Sequence, residues 1–540
     1  LAEGAARSVL EAVLPAFVAR QRWFRSKSLR ILGCVVLDLV PLSTTGSTDE
    51  PCLVVLGVDL EGGSREDYVF AVKFAPGAAG ECTLIAAERA GESGVLADAA
   101  EDPRVAAFLL ELVAAGGSSR GGSWEIRGAN AGAAAATRLA ERPVSALAVR
   151  PVGVEQSNTS YIFGDRFIAK VVRKVEAGES TELEVLRELG TARPGVVAPR
   201  VPELVGHVEL RQDGAARPPS TLVVVQTFWR NRGDAWSYVG GEVQAFFARV
   251  LAAPALAAPT AQTALAWRGQ PVEPEVAQLL GDFPRIARRL GQRTAELHAK
   301  LAAAEAPEFV PEAWSKPALA ALVDAVRGLA ADKFAQARRR LDALPPDARG
   351  LAEQIIMREA AATSRLSLGD SLSGLRTRIH GDYHLGQVLV TDGADGADFV
   401  IIDFEGEPAR PIEQRREKRS PIVDVAGMLR SFHYAAVFGL VSDGSPIARE
   451  DVPRLEPWAR VWNGRIGAVF LEGYLDAAQR AANVPAWLPT SPAELARLLG
   501  VHLLEKSLYE VGYELDNRPT WATIPLTGVL DVLESMERAD

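Results

Sequence analysis

His380-Gly381-Asp382-Tyr383-His384-Leu385-Gly386-Gln387, followed by Asp403-Phe404-Glu405-Gly406, is the stretch whose reading decides the fold. An apolar run, Val388–Val390, leaves the first motif, and a second, Phe399–Ile402, delivers the second motif, so the pair reads as strand-loop-strand. Either aspartate alone would pass for a turn or cap residue. Together they place Asp382, Gln387 and Asp403 at neighbouring strand ends. Phosphoryl transfer asks little more of a protein than a group that orients the attacking hydroxyl and ligands for the metal that neutralises the phosphates. Asp382 is the candidate base, and Gln387 and Asp403 are the candidate Mg²⁺ ligands. The amide oxygen of Gln387 is a hard donor like that of asparagine, one methylene further out.

Such chemistry also needs a lysine on a sheet, held by a helix carboxylate, to orient the phosphates of ATP. Lys170 lies on the apolar strand Phe167–Val172, and Glu184 lies on the helical segment Thr181–Leu189, with Glu182 as the competing partner. No Gly-x-Gly-x-x-Gly or Walker motif precedes the lysine. Glu155-Gln156-Ser157-Asn158-Thr159-Ser160 occupies the turn between two strands instead, and its hydroxyl, amide and backbone N–H groups can cap phosphates without glycine. A plain polar hairpin loop would look the same. The candidate ATP-binding set is Ser157, Asn158, Thr159, Lys170 and Glu184, completed by Gln226 and Phe228 at and beyond the end of the apolar run Leu222–Gln226.

Near the C-terminus Lys506, Tyr509 and Tyr513 fall at i, i+3 and i+7 and share one helical face, with Arg518 and Trp521 following. Aromatic platforms with interleaved donors suit a polyhydroxylated ligand, although a tyrosine stripe serving as core has the same spacing. Three other patterns carry little weight. Gly117-Ser118-Ser119-Arg120-Gly121 resembles a nucleophile elbow but has no strand before it. His380 and His384 are spaced like metal ligands but lack the intervening glutamate of a zinc-protease helix. Arg415-Arg416-Glu417-Lys418-Arg419 reads as a solvated loop.

The 540 residues suffice for two or three lobes, and 48% hydrophobic content describes a folded chain. A net charge of −10 argues against nucleic acid as a partner. Cys34, Cys52 and Cys82 are scattered, which points to a reducing compartment, and no apolar run approaches membrane-spanning length. A cytoplasmic protein is expected. A helix over residues 8–19 and apolar runs at Val35–Val40, Leu53–Leu60 and Tyr68–Phe74 predict a β-rich N-terminal module, its last two strands joined at Glu61-Gly62-Gly63-Ser64. A helix follows at Val105–Ala114, and the Gly116–Ser123 stretch reads as a linker or mobile loop. Strand, strand, helix and strand between Val144 and Gln226 predict a small antiparallel sheet carrying one helix. Beyond Gly240 the text is alanine-rich and helical.

With these residues in view the chain resembles the maltokinases, within the aminoglycoside-phosphotransferase-like kinases. The resemblance rests on Gln21-Arg22-Trp23-Phe24, Glu155–Ser160, the Lys170 strand, Arg378–Leu389, Ile401–Arg410, Asp424–Phe432 and Glu505–Pro525, and so spans nearly the whole chain. It implies an α+β, bilobal protein-kinase-like fold: an N-terminal cap (residues 1–105), an intermediate β subdomain completing the ATP lobe (106–228) and a helical C-terminal lobe (229–540). It also implies transfer of the ATP γ-phosphate to the anomeric hydroxyl of maltose, giving maltose 1-phosphate for α-glucan synthesis. Lys506, Tyr509 and Tyr513 would hold the sugar beside Asp382, with His384, Arg518 and Trp521 as further candidates, and trehalose synthase is an implied partner. Arg25-Ser26-Lys27-Ser28 and His433 depart from the family's usual text. A kinase for another sugar, such as glucosamine, or a non-catalytic binding protein is the alternative.

Overall fold

The computed structural model describes residues 4–43, 50–77, 83–89, 92–153, 158–408, 410–442 and 444–539. They form two compact units, one of Leu1–Gly190 with Pro202–Arg230 and one of Thr191–Val201 with Asn231–Asp540.

The first unit is β-rich. Helix α1 (Gly4–Arg20) precedes strands β1 (Ile31–Pro41), β2 (Cys52–Leu60), β3 (Arg65–Pro76), β4 (Thr83–Arg89) and β5 (Glu92–Asp98), which form an antiparallel sheet in the order β1-β2-β3-β5-β4. Strand β2 is apolar on both faces because it serves two cores, and its alternation sorts the residues between them. Val54, Leu56 and Val58 pack with Leu14, Phe17, Trp23 and Phe24 of the α1 side, whereas Leu53 and Val55 join a second core with Leu109 and Trp124. Trp23 and Phe24 are thus a hydrophobic plug, their rings 5.4 and 5.7 Å from that of Tyr68.

Helix α2 (Pro103–Ala115), β6 (Ser118–Arg120), β7 (Trp124–Asn130), α3 (Ala133–Ala140), β8 (Val149–Pro151), β9 (Asn158–Phe163) and β10 (Phe167–Val172) come next. Helix α4 (Thr181–Gly190) and strands β11 (Leu204–Gln212) and β12 (Ser220–Thr227) complete the unit. The second sheet has seven antiparallel strands in the order β6-β7-β11-β12-β10-β9-β8. Two expectations change here. The Gly116–Ser123 stretch is not a linker: Ser118–Arg120 pairs with β7, and the backbone N–H groups of Gly122, Ser123 and Trp124 donate to the Asp38 carboxylate at 2.7–3.0 Å. The sheet is also larger than the sequence suggested, because Leu204–Gln212 and Trp124–Asn130 carry too many polar residues to stand out as apolar runs.

The second unit is helical: α5 (Ala235–Ala252), α6 (Ala264–Trp267), α7 (Pro274–Leu280), α8 (Phe283–Ala302), then the short β13 (Glu312–Ala313), α9 (Lys316–Arg340), α10 (Pro346–Met357) and α11 (Glu359–Ser364). After β14 (Leu375–Arg376) comes the hairpin β15 (Val388–Gly393) and β16 (Gly396–Ile401), then α12 (Ile412–Arg415), α13 (Ile422–Val441), α14 (Val452–Arg480), α15 (Pro492–Asn517) and α16 (Thr523–Ala539). Among the described residues no helix is long and apolar enough to cross a membrane.

Helices α8 and α14 cross backbone to backbone at two glycines. A Cβ on Gly291 would lie 2.1 Å from the Phe470 carbonyl oxygen, and one on Gly473 would lie 2.1 Å from that of Arg288. The approach matters because α8 carries His298 to the centre of the unit. Gly473→Ala should force the helices apart and cost about 1–3 kcal/mol, read as a lowered midpoint of thermal unfolding.

Candidate active site

On the first unit, β10 alternates Phe167, Ala169 and Val171 into the core with Lys170 on the opposite face. Lys170 Nζ lies 3.3 Å from Glu182 Oε2, and Gln226 Nε2 donates to Glu182 Oε1 at 2.9 Å. The carboxylate beside the lysine is therefore that of Glu182, not Glu184. Residues 182 and 184 are about 200° apart around a helix, so only one of them can face the sheet, and it is Glu182 that is 2% exposed. Gln226 orients that glutamate from β12. Asn158 is buried on β9, and Thr159 Oγ1 accepts from Arg173 Nε and Nη2 at 3.0 and 2.6 Å. Phe228 is half-buried, with the Arg150 guanidinium 5.8 Å from its ring centre. Ser157 lies outside the described residues.

On the second unit the His380–Gln387 loop, which carries the candidate base, is built around a buried acid. Asp424, 1% exposed, accepts the backbone N–H of His380 at 2.8 Å and that of Gly381 at 3.0 Å, one on each oxygen. His298 Nε2 meets the same carboxylate at 3.0 Å, His298 Nδ1 meets the Tyr474 hydroxyl at 2.9 Å, and Trp487 Nε1 donates to that hydroxyl at 3.1 Å. Burial disfavours the Asp424 charge, but the hydrogen bond and charge of His298, with His380 and the Gly381 N–H, outweigh it and hold the pKa below the ordinary value.

The loop is closed from its other side. His380 Nε2 lies 2.8 Å from the Ile402 carbonyl, and the Ile402 N–H donates to the Gln387 carbonyl at 3.0 Å. Gln387 and Asp403 are thereby brought to adjoining strand ends. Asp403 sits at φ +67°, a left-handed backbone rare for a residue with a Cβ and common at functional sites. Side-chain oxygens of Asp403 and Glu405 lie within 4.8 Å of each other. His384 Nδ1 accepts the Gly386 N–H at 3.0 Å, and burial pushes its pKa below the ordinary histidine value despite the nearby Asp382 charge. His380 is thus tied to the Ile402 carbonyl, and Nδ1 of His384 to its own loop.

Helix α15 supplies the facing wall. Lys506 Nζ is 3.6 Å from Asp382 Oδ1 and 5.1 Å from the centre of the Tyr509 ring. Burial works against the lysine charge, but Asp382, Glu510 and Glu407 outweigh it and raise the pKa. Tyr509 is pushed up by burial and by Glu407. Tyr513, 47% exposed, lies about 10 Å along the helix from Lys506, and Arg518 about 18 Å. Arg518 is bonded to Glu514 at 2.7 and 2.9 Å and stacked on Trp521 at 4.2 Å, while Trp521 packs on Phe438. The structure thus brings Lys506, Tyr509 and Tyr513 to one face, and Arg518, whose guanidinium lies 5.4 Å from the centre of the Tyr513 ring, continues it with Trp521 towards the end of the helix.

The basic segment after the loop is not a solvated one. Arg419 Nη2 contacts both oxygens of Glu505 at 2.6 and 2.8 Å, and Lys418 Nζ contacts Glu312 at 2.9 Å. Burial disfavours the Glu505 charge, yet Arg419, His502 and Arg410 hold its carboxyl well below the usual range. The sequence gives no residue-level signal for these pairings, because the partners are 86 and 106 positions apart. Asp424, His298 and Glu405 likewise carry no local signal of a role. The His-Gly backbone that Asp424 anchors identifies it only once α13 and α8 are packed.

Residues 148–407 match a family described as the phosphotransferase enzyme family, a range that includes Lys170, Glu182, Asp382, Gln387 and Asp403. The fold is kinase-like, with an antiparallel sheet carrying the lysine and a helical unit carrying the aspartates. Among curated proteins the chain is 32% identical to the glucosamine kinase of Mycolicibacterium smegmatis over 242 residues, 39% of this chain and 54% of that protein. It is 26% identical to the glucosamine kinase of Streptacidiphilus jiangxiensis over 156 residues, 29% of this chain and 31% of that protein. The matches thus span about half or less of those relatives' length. Among solved structures it superposes on a glucosamine kinase in complex with glucosamine, ADP and inorganic phosphate with a TM-score of 0.56 and 18% identity, over 98% of this chain and 99% of that one. A second glucosamine kinase crystal form gives a TM-score of 0.59 at 19% identity, covering 98% and 100%. At such identities the likeness is one of fold. These relatives are named for an amino sugar rather than for maltose.

The depressed pKa of Asp424 fixes a pH dependence. Its ionised form stabilises the fold above the ordinary carboxylate pKa of about 4, and that contribution is lost as pH falls through the lower folded-state value. Asp424→Asn should therefore destabilise the protein by about 2–4 kcal/mol at pH 7. In denaturant titrations the gap to wild type should close as the pH drops below about 4.

Proposed function

We propose that this protein is an ATP-dependent sugar kinase in which Asp382 accepts the proton of the attacking hydroxyl. The observation that carries the reading is the contact of Lys506 with Asp382: the candidate base stands beside an aromatic, donor-bearing helix face rather than in an apolar core. The lysine orients the carboxylate and offers donors to an incoming sugar. Lys170, positioned by Glu182, would bind ATP phosphates. The oxygen donors Asp403 and Gln387, with Glu405 added by the structure, suit Mg²⁺, which when bound would neutralise the phosphate charge. The division into cap, intermediate subdomain and C-terminal lobe belongs to the same proposal.

An amino sugar of the glucosamine kind is the acceptor that the relatives favour, since the curated and solved proteins described above carry that name. Maltose, phosphorylated at its anomeric hydroxyl, is the second reading, and a trehalose synthase partner goes with it. It is favoured by the α15 face, where Lys506, Tyr509 and Tyr513 extend over about 10 Å of helix, longer than one pyranose ring.

Turnover with ATP and a panel containing glucosamine, glucose, maltose and trehalose, ranked by kcat/KM with the phosphorylated carbon assigned by NMR, tests both levels. No turnover of any sugar would overturn the kinase reading, and the ranking selects the acceptor. Asp382→Asn should lower kcat by about 10²–10⁴-fold with nucleotide affinity unchanged, as expected for loss of a general base. Unchanged turnover would remove Asp382 from that role.

A further inference from the structure

Apart from the face around Asp382, the second unit holds a cavity of about 430 Å³ where the end of α14 and the start of α15 meet α6 and the segment 481–492. That volume suits a small molecule. The wall is mostly apolar: Leu265, Leu475, Val484, Leu488 and Leu495 line it, and Leu265, Val484 and Leu488 are only half-buried. Such side chains gain burial when an apolar ligand enters. Arg268, exposed just past α6, supplies the charge of the lining; among the described residues no acid lines the cavity and Arg268 makes no ion pair. A single guanidinium matches one carboxylate through two parallel hydrogen bonds, whereas a phosphate dianion brings more charge than this lining balances.

The cavity is wired to the loop of the candidate base. Trp487, 3% exposed, lines it, and its Nε1 heads the chain of hydrogen bonds that runs through the Tyr474 hydroxyl and His298 to Asp424, the acid that holds the His380 and Gly381 N–H groups. The backbone around the indole is tied down separately. The Trp487 carbonyl accepts the Leu375 N–H at 3.1 Å, and the N–H of Thr490, another lining residue, donates to Ser373 Oγ at 2.9 Å. With the segment fixed in this way, what a ligand in the cavity can displace is the indole. In a buried chain of hydrogen bonds a displaced donor leaves its partner unsatisfied, so a shift of the indole is felt at Tyr474 and beyond.

We propose that this cavity is an effector site for a small apolar carboxylate, and that its occupancy is transmitted to the His380–Gln387 loop through the Trp487 side chain and Tyr474. The effect on catalysis rests on the sugar-kinase reading above; binding and transmission do not. The ligand's carboxylate pairs with Arg268 and its apolar body packs on the indole and the aliphatic wall.

Octanoate is the probe and octanamide its neutral control, each titrated calorimetrically into the full chain. Octanoate should bind saturably, and Arg268→Gln should weaken it about fivefold, the upper range for an exposed ion pair, without weakening octanamide. Ala478→Phe, which fills the cavity from α14, should abolish binding; Arg268 is exposed, so its variant tests the site even where Ala478→Phe does not fold. Transmission is read by hydrogen exchange at the His380 and Gly381 amides. Saturating octanoate should change their rates about threefold or more in wild type and leave them unchanged in Trp487→Phe, which keeps an aromatic ring and removes the donor; kcat should change with the exchange rates. No saturable binding of octanoate overturns the site, as does binding that survives Ala478→Phe or ignores Arg268→Gln. Binding with amide exchange unaltered in wild type, or altered equally in Trp487→Phe, overturns the transmission. If octanoate binds but wild type phosphorylates no sugar, the sugar-kinase reading fails and the site stands, so the two failures are distinguishable.

Discussion

The helical second unit depends on one buried carboxylate. Asp424 holds the backbone of His380 and Gly381 from below, and the loop that presents Asp382 inherits its geometry from those two hydrogen bonds. Taking an ionised carboxylate out of water is expensive unless its oxygens are satisfied, and here they are, by two backbone N–H groups and an imidazole. The requirement propagates outward. His298 faces Asp424 of α13 on one side and meets Tyr474 of α14 on the other, so α8 must lie close to α14, where Gly291 and Gly473 leave room for the two backbones, and Trp487 completes the chain of hydrogen bonds behind the histidine.

The same arrangement, a charged or polar group fixed by partners behind it, recurs at the other candidate site residues. Lys170 has Glu182, which has Gln226. Asp382 has a loop pinned by Asp424 and by the His380 contact with the Ile402 carbonyl. In each case a charged group is oriented by partners from other elements, so that its position is set before a ligand arrives. Preorganisation of this kind makes electrostatic stabilisation effective in phosphoryl transfer, where the protein contributes position and charge more than covalent chemistry.

Several details follow from helix periodicity and long-range pairing. Glu182 and Glu184 are equally plausible partners for Lys170 by count of residues, and the buried side of α4 selects Glu182. The Arg415–Arg419 segment is charged enough to read as solvated, yet Glu312 and Glu505 reach it from distant elements. Gly116–Ser123 has the composition of a linker, yet Asp38 collects the backbone N–H groups of Gly122, Ser123 and the adjoining Trp124, and the centre of the stretch pairs with β7. Composition reports what a segment can do in isolation, and tertiary partners override it wherever they satisfy its polar groups.

The sequence by itself determined the features carried by local spacing: the strand-loop-strand of Asp382, Gln387 and Asp403, the strand of Lys170, the helix that aligns Lys506, Tyr509 and Tyr513, and the apolar runs of β1, β2 and β3. These were legible because side-chain direction repeats every 2 or 3.6 residues and because turn chemistry is local. Only the tertiary structure decided that Glu182 faces the lysine, that Asp424 and His298 underlie the His380–Gln387 loop, and that Arg419 and Lys418 pair with Glu505 and Glu312. Each of those facts depends on which residues far apart in the chain share a desolvated space, and neither periodicity nor composition records that.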